Sequence, residues 1–235
     1  PAGWNFVIGG DFNMQNSNQS SYVELVGSKV NNAGRFFDPI ASPGAWDNNS
    51  AFRFIHTQDP ASSAGMDSRY DFLLVSGNLI DKRGLDYLGD ATKPFSTSTW
   101  NDPNHSYRCW GNDGKTYGSP LNPATNEMVG STIAQALRDS AVNQGHLPVY
   151  MDLLVPGKAS VPTLVLDFGL VDQFSSAIKT IQVGNVGDTD LWGPNGVASL
   201  KYSFAGPTEV MLPSGTFQVT AGSSSSHSIR LNTNT

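Results

Sequence analysis

The sequence predicts a mixed α/β domain built on buried strands, followed by an all-β sandwich. Three observations lead there. Only 14% of the 235 residues are charged, while Gly, Pro, Ser and Asn are abundant, a balance that favours strands joined by many turns over long surface helices. Apolar runs at residues 4–8, 72–75 and 147–155 are interspersed with two stretches at helix-face spacing. Beyond residue 162 the pattern becomes period-two alternation broken by turn clusters. With 38% hydrophobic content the chain can bury a real core. The boundaries expected are a first domain over 1–155, a Pro-bracketed connector over 156–162 and a second domain over 163–235.

In chain order, Trp4 to Ile8 is an apolar strand that runs out at Gly10-Asp11-Phe12-Asn13. Ser20 to Val30 follows as a short helix with Tyr22, Val23 and Val26 on one face and Ser20 or Ser21 as cap. Residues 31–66 read as loop, with Trp46, Phe52, Phe54 and His56 marking a short alternating strand. Ser68 to Val75 is a polar start into a continuous apolar run, the pattern of a fully buried strand. Residues 89–130 show little periodicity and read as a long loop region near a site. Ile133, Ala134, Leu137 and Ala141 then mark a helix capped by Ser131 or Thr132 and ending near Gly145, before a strand over 147–155. In the second domain Leu200, Tyr202 and Phe204 alternate with polar residues, as do Phe217 and Val219, which predicts a small antiparallel sandwich.

The chemistry centres on polar residues at strand ends. On a continuing strand Asp11 and Asn13 point the same way and can converge on one ligand. An ionised Asp binds a hard cation or takes a proton, and Asn offers two fixed donors to a phosphate oxygen or a water. An Asx turn that merely closes the strand explains the same four residues. Asp71 follows Arg69 at the start of the second apolar strand, and His146 precedes the strand at Leu147. Taken singly, Asp71 reads as a polar strand start and His146 as a satisfied histidine at a helix terminus.

The order of Gly10-Asp11-Phe12-Asn13, Arg69-Tyr70-Asp71-Phe72 and Gly145-His146-Leu147-Pro148-Val149 resembles the endonuclease/exonuclease/phosphatase superfamily. There a G-D-F-N strand end precedes R-x-D-Y and then S-D-H-x-P-V. Trp110-Gly111-Asn112-Asp113-Gly114 and the helix after it resemble bacterial extracellular members. The resemblance covers residues 1–155 and implies the second half of a two-sheet α/β phosphoesterase sandwich, the first half lying upstream of Pro1. It implies metal-assisted phosphoester hydrolysis by in-line attack of water. Asp11 orients or deprotonates the water and serves as a metal ligand, and Asn13 holds that water or a non-bridging oxygen. His146 donates to the phosphate as charge builds, and Asp71 fixes its tautomer. Arg69, Trp110 and Asn112 are the substrate-loop candidates. The implied cofactor is Mg²⁺, or Mn²⁺ or Ca²⁺, weakly held or absent here, because Gly145 stands where the family carries an Asp and the principal metal-binding Glu belongs to the upstream half.

A net charge of −6 argues against a broad basic surface that binds nucleic acid through phosphates alone. Nucleic acid is therefore the first expected substrate only with a local cation, ahead of a phosphomonoester or lipid headgroup. A scaffold that keeps the fold without catalysis is the rival reading, and Gly145 favours it. No stretch approaches the roughly 20 apolar residues of a membrane helix. The lone Cys109 reads as a packed residue rather than a nucleophile. Leu166-Asp167-Phe168-Gly169 and the run from Ile178 into Asn185-Val186-Gly187-Asp188 resemble the immunoglobulin-like modules of spindle-protein and choice-of-anchor type. That implies a bacterial extracellular or cell-surface protein whose second domain is a spacer, or touches a surface or polymer.

Overall fold

Residues 3–163, 165–193, 195–231 and 233 are described by a computed structural model. It is mixed α/β, mostly small antiparallel sheets with few helices, and it divides into two compact units, Pro1–Leu153 and Leu154–Thr235. No helix among the described residues is long and apolar enough to cross a membrane.

In the first unit, strands β1 (Val7–Asp11), β2 (Phe36–Phe37) and β3 (Asp71–Ser76) form an antiparallel sheet in the order β1-β3-β2. The central strand β3 is buried on both faces, as its continuous apolar run predicts. Phe72 and Leu74 pack with Met14, Tyr22 and Trp46, while Leu73 turns to a second cluster around Ile40, Phe54, Ile55 and Tyr107. A third cluster joins Met66, Leu121, Ala134 and Leu147.

Several element boundaries differ from expectation. Helix α1 is Ser20–Val26 and stops where Gly27 turns extended, leaving Val30 in solvent. Helix α2 is Gly130–Ser140, shorter than its apolar spacing suggested, because Asn143 and Gln144 adopt left-handed φ values of 71° and 72° before Gly145. The strand expected around residues 46–56 is instead a 3₁₀ helix over Ser50–Ile55, whose Asn49 side chain accepts from Ala51 N. Residues 147–155 hold two short strands rather than one. Within the first unit, β4 (Asp86–Tyr87) and β5 (Arg108–Cys109) precede β6 (Val149–Tyr150), which pairs with β5. The unit boundary falls inside β7 (Leu153–Leu154).

The long loop region is held by buried polar side chains, each satisfying backbone that has no ladder. Asn112 Nδ2 donates to Arg53 O and His56 O, Asn126 Nδ2 donates to Gly111 O, and Asp102 accepts from Ser96 N and Asn104 N. Arg69 is fully buried, donating from both terminal nitrogens to Asp38 at 2.7 and 3.0 Å, with its guanidinium over the Phe72 ring. Losing one partner of such a pair costs about 3–5 kcal/mol.

In the second unit, β8 (Ala159–Ser160), β9 (Ala177–Asn185), β11 (Val210–Met211) and β13 (Ser224–Leu231) form a four-stranded antiparallel sheet in the order β11-β13-β9-β8. A second sheet pairs β10 (Leu200–Tyr202) with β12 (Phe217–Val219). Because Ala159–Ser160 pair with β9, part of the segment read as a free connector is sheet. Buried Asn185 closes the turns, accepting from Lys158 N and Gly187 N and donating to Ala198 O and Val219 O. Leu164, Pro194, Asn232, Asn234 and Thr235 lie outside the described residues.

His56 is fully buried, with Nε2 3.0 Å from Trp46 O and Nδ1 3.3 Å from Met66 O. A neutral ring donates to only one carbonyl, yet burial outweighs the pull of the second and brings its pKa down to about 4. Between the ordinary value near 6.5 and about 4, the unfolded chain takes up a proton that the folded chain refuses, so stability falls as pH falls through this window. Urea unfolding at pH 7 and pH 4 should show wild type losing on the order of 3 kcal/mol more than His56→Gln; an equal loss in both contradicts the assignment.

Candidate functional site

The register of β1 against β3 sets the site. Phe12 N donates to Tyr70 O and Ser76 N to Phe6 O, so the pairs flanking the ladder at both ends are hydrogen-bonded. By alternation Asp11 and Asp71, opposite each other, form a non-hydrogen-bonded pair with Cα atoms about 4.5 Å apart and side chains on the same face. Two carboxylates placed this way repel. His146 stands between them, its Nδ1 3.0 Å from Asp71 Oδ2 and 3.8 Å from Asp11 Oδ2.

Three distant segments thus meet at one rim, and they differ in exposure. The side chains of Asp71 and His146 are 14% and 18% exposed, against 49% for Asp11. Burial pushes the Asp71 carboxyl above the ordinary carboxylate range, and the Asp11 charge pushes it the same way. Its Oδ2 is buried without a hydrogen bond of good geometry. His146 Nδ1 approaches this oxygen to 3.0 Å at an angle outside that of a hydrogen bond. With Nδ1 turned to the carboxylates, Nε2 is the ring nitrogen left to meet a ligand. The Tyr70 ring lies against the imidazole, centroids 5.8 Å apart.

Asn13 does not follow strand alternation. The strand ends at Asp11, Asn13 adopts a left-handed φ of 50°, and its backbone N donates to Asp11 Oδ1 at 2.8 Å. The Asx turn weighed for this sequence is present. It occupies one Asp11 oxygen and leaves Oδ2 toward His146. Of the substrate-loop candidates, Arg69 and Asn112 are buried, spent on Asp38 and on backbone carbonyls, and neither reaches a ligand. Trp110 is 40% exposed and remains at the surface.

Thr57 is the residue that sequence reasoning missed. Fully buried, it accepts Tyr70 N and Asp71 N at Oγ1, at 3.3 and 3.2 Å, and its carbonyl accepts Leu147 N at 2.9 Å. One side chain and its own backbone thereby join the start of β3 to the His146 segment. A threonine in a polar loop carries no local signature of this role.

The resemblance implies a divalent cation, for which this rim offers few donors. Asp11 offers one carboxylate oxygen outside the Asx turn, Asp71 Oδ2 faces an imidazole nitrogen, and Gly145 offers no side chain. Among the described residues no three His, Cys, Asp or Glu side chains are arranged to hold a metal. A hydrated Mg²⁺, which takes one or two carboxylates besides waters and substrate phosphates, would find in Asp11 a single free carboxylate oxygen and be held weakly. Comparison with family models, with curated proteins and with solved structures finds no match.

Gly145 has its own structural reason. A Cβ there would sit 2.5 Å from Ala141 Cα and 3.0 Å from Ala141 Cβ. Gly145→Ala should lower stability by about 1–3 kcal/mol through overpacking, read from the urea midpoint. An unchanged midpoint means the loop after α2 yields freely.

Proposed function

We propose that this chain carries part of a divalent-metal-dependent phosphodiester hydrolase of the endonuclease/exonuclease/phosphatase type, joined to an immunoglobulin-like module and acting outside a bacterial cell or at its surface. The observation that supports the reading is the meeting of Asp11, Asp71 and His146 at one rim, from segments that resemble the family's motifs in order apart from Gly145. Asp71 faces Nδ1 of His146, so Nε2 is the ring nitrogen that can donate to a phosphate oxygen and stabilise the charge that develops there. Asp11, the exposed member, orients the attacking water or takes its proton. The bound cation would supply Lewis-acid polarisation of the phosphate. Because the donors present hold it only weakly by themselves, activity belongs to a longer polypeptide that adds an acidic ligand, and residues 1–235 alone turn over little.

A second reading, a scaffold that keeps the fold without catalysis, is favoured by Gly145, whose packing against Ala141 leaves no space for the family's Asp. The two diverge in one assay. In the longer polypeptide, Mg²⁺-dependent nicking of supercoiled plasmid should fall about a hundredfold or more with Asp11→Ala or His146→Ala and should survive removal of residues 163–235. Absence of both Mg²⁺ affinity and nicking in the parent supports the scaffold instead.

A further inference from the structure

The rim does not stop at His146. Leu147 N binds Thr57 O on one side of this segment, and on the other Trp110 N donates to Pro148 O at 2.8 Å, continuing the register of Arg108 with Tyr150 and Cys109 with Val149. Cys109 and Val149 point into the core cluster, so Trp110, Pro148 and Tyr150 fall on the opposite side. There Trp110 is 40% and Tyr150 43% exposed. Pro148 is two residues from His146, roughly 7 Å along extended chain, and Trp110 is its cross-strand partner. The Trp110 Cα therefore stands roughly 9 Å from that of His146, about 7 Å along the strand combined with about 5.5 Å across the pair.

Charge narrows what that ledge can take. The chain carries −6, and two arginines near the site are unavailable to a phosphate. Arg69 is spent on Asp38, and Arg108 donates to His105 O, Tyr107 O and Asp102 O. A duplex, which presents phosphates and hides its base faces, gains little here. An unpaired base offers a π face on which an exposed aromatic side chain can stack whatever the base.

We infer that Trp110, flanked by Tyr150, is a stacking platform for an unpaired base next to the scissile position, so the site takes single-stranded rather than duplex nucleic acid. This rests on the phosphodiesterase reading above, but it is tested without turnover. In EDTA, the 235-residue chain should bind fluorescently labelled oligothymidylate, measured by anisotropy, more tightly than a duplex of equal length, with a shallow salt dependence. Trp110→Ala should weaken that binding roughly tenfold or more, and Trp110→Tyr should restore most of it. The backbone bond from residue 110 to Pro148 O survives each substitution. Duplex bound equally or better, affinity indifferent to Trp110→Ala, no oligonucleotide binding, or displacement by millimolar phosphocholine each overturns the inference. Loss of nicking in the parent with stacking retained counts against the hydrolase reading alone.

Discussion

The pairing of β1 with β3 is the constraint on which the site depends. It sets two carboxylates, Asp11 and Asp71, directly opposite each other on one face, an arrangement that opposes folding unless something neutralises it. The register is held from the other face, where Ile8 and Phe12 meet Phe72 and Leu74 over Trp46 and Tyr22. A slip by one residue would expose those apolar groups. The core thus enforces the juxtaposition of two carboxyl groups, and His146 is the side chain set against both.

The elements bearing these groups are short and are held in place by polar contacts. Thr57 links the amide of Asp71 to the segment of His146, while Asn112 fixes the carbonyls just before Thr57. Arg69, one residue before Tyr70, locks the start of β3 through Asp38, which also accepts the Tyr22 hydroxyl. Each of these groups is buried, so its loss leaves unsatisfied partners. A loop-rich domain can keep three side chains in fixed relation by these means.

What the sequence disclosed follows from range. Periodicity and caps report local order, so β3, both helices and the alternation of Leu200 and Tyr202 were legible, with ends off by several residues where Asn143 and Gln144 turn left-handed. Asp11, Asp71 and His146 stood out because each sits at a strand end beside an apolar run. The fate of Arg69 was hidden because its partner lies 31 residues earlier, and Asn112 and Thr57 act on backbone 56 and 14 residues away. Asn13 admitted two local readings, a strand position and an Asx turn. The Asx turn, spanning Asp11 to Asn13, overrode the alternation extrapolated from the strand before it.

The central claim is that Asp71 and His146 act on each other across the rim rather than standing separately exposed. A double-mutant cycle on stability, from urea unfolding of wild type, Asp71→Asn, His146→Ala and the double variant, measures that interaction. The account predicts a coupling energy of about 0.5–3 kcal/mol. Additivity to within about 0.3 kcal/mol would contradict it.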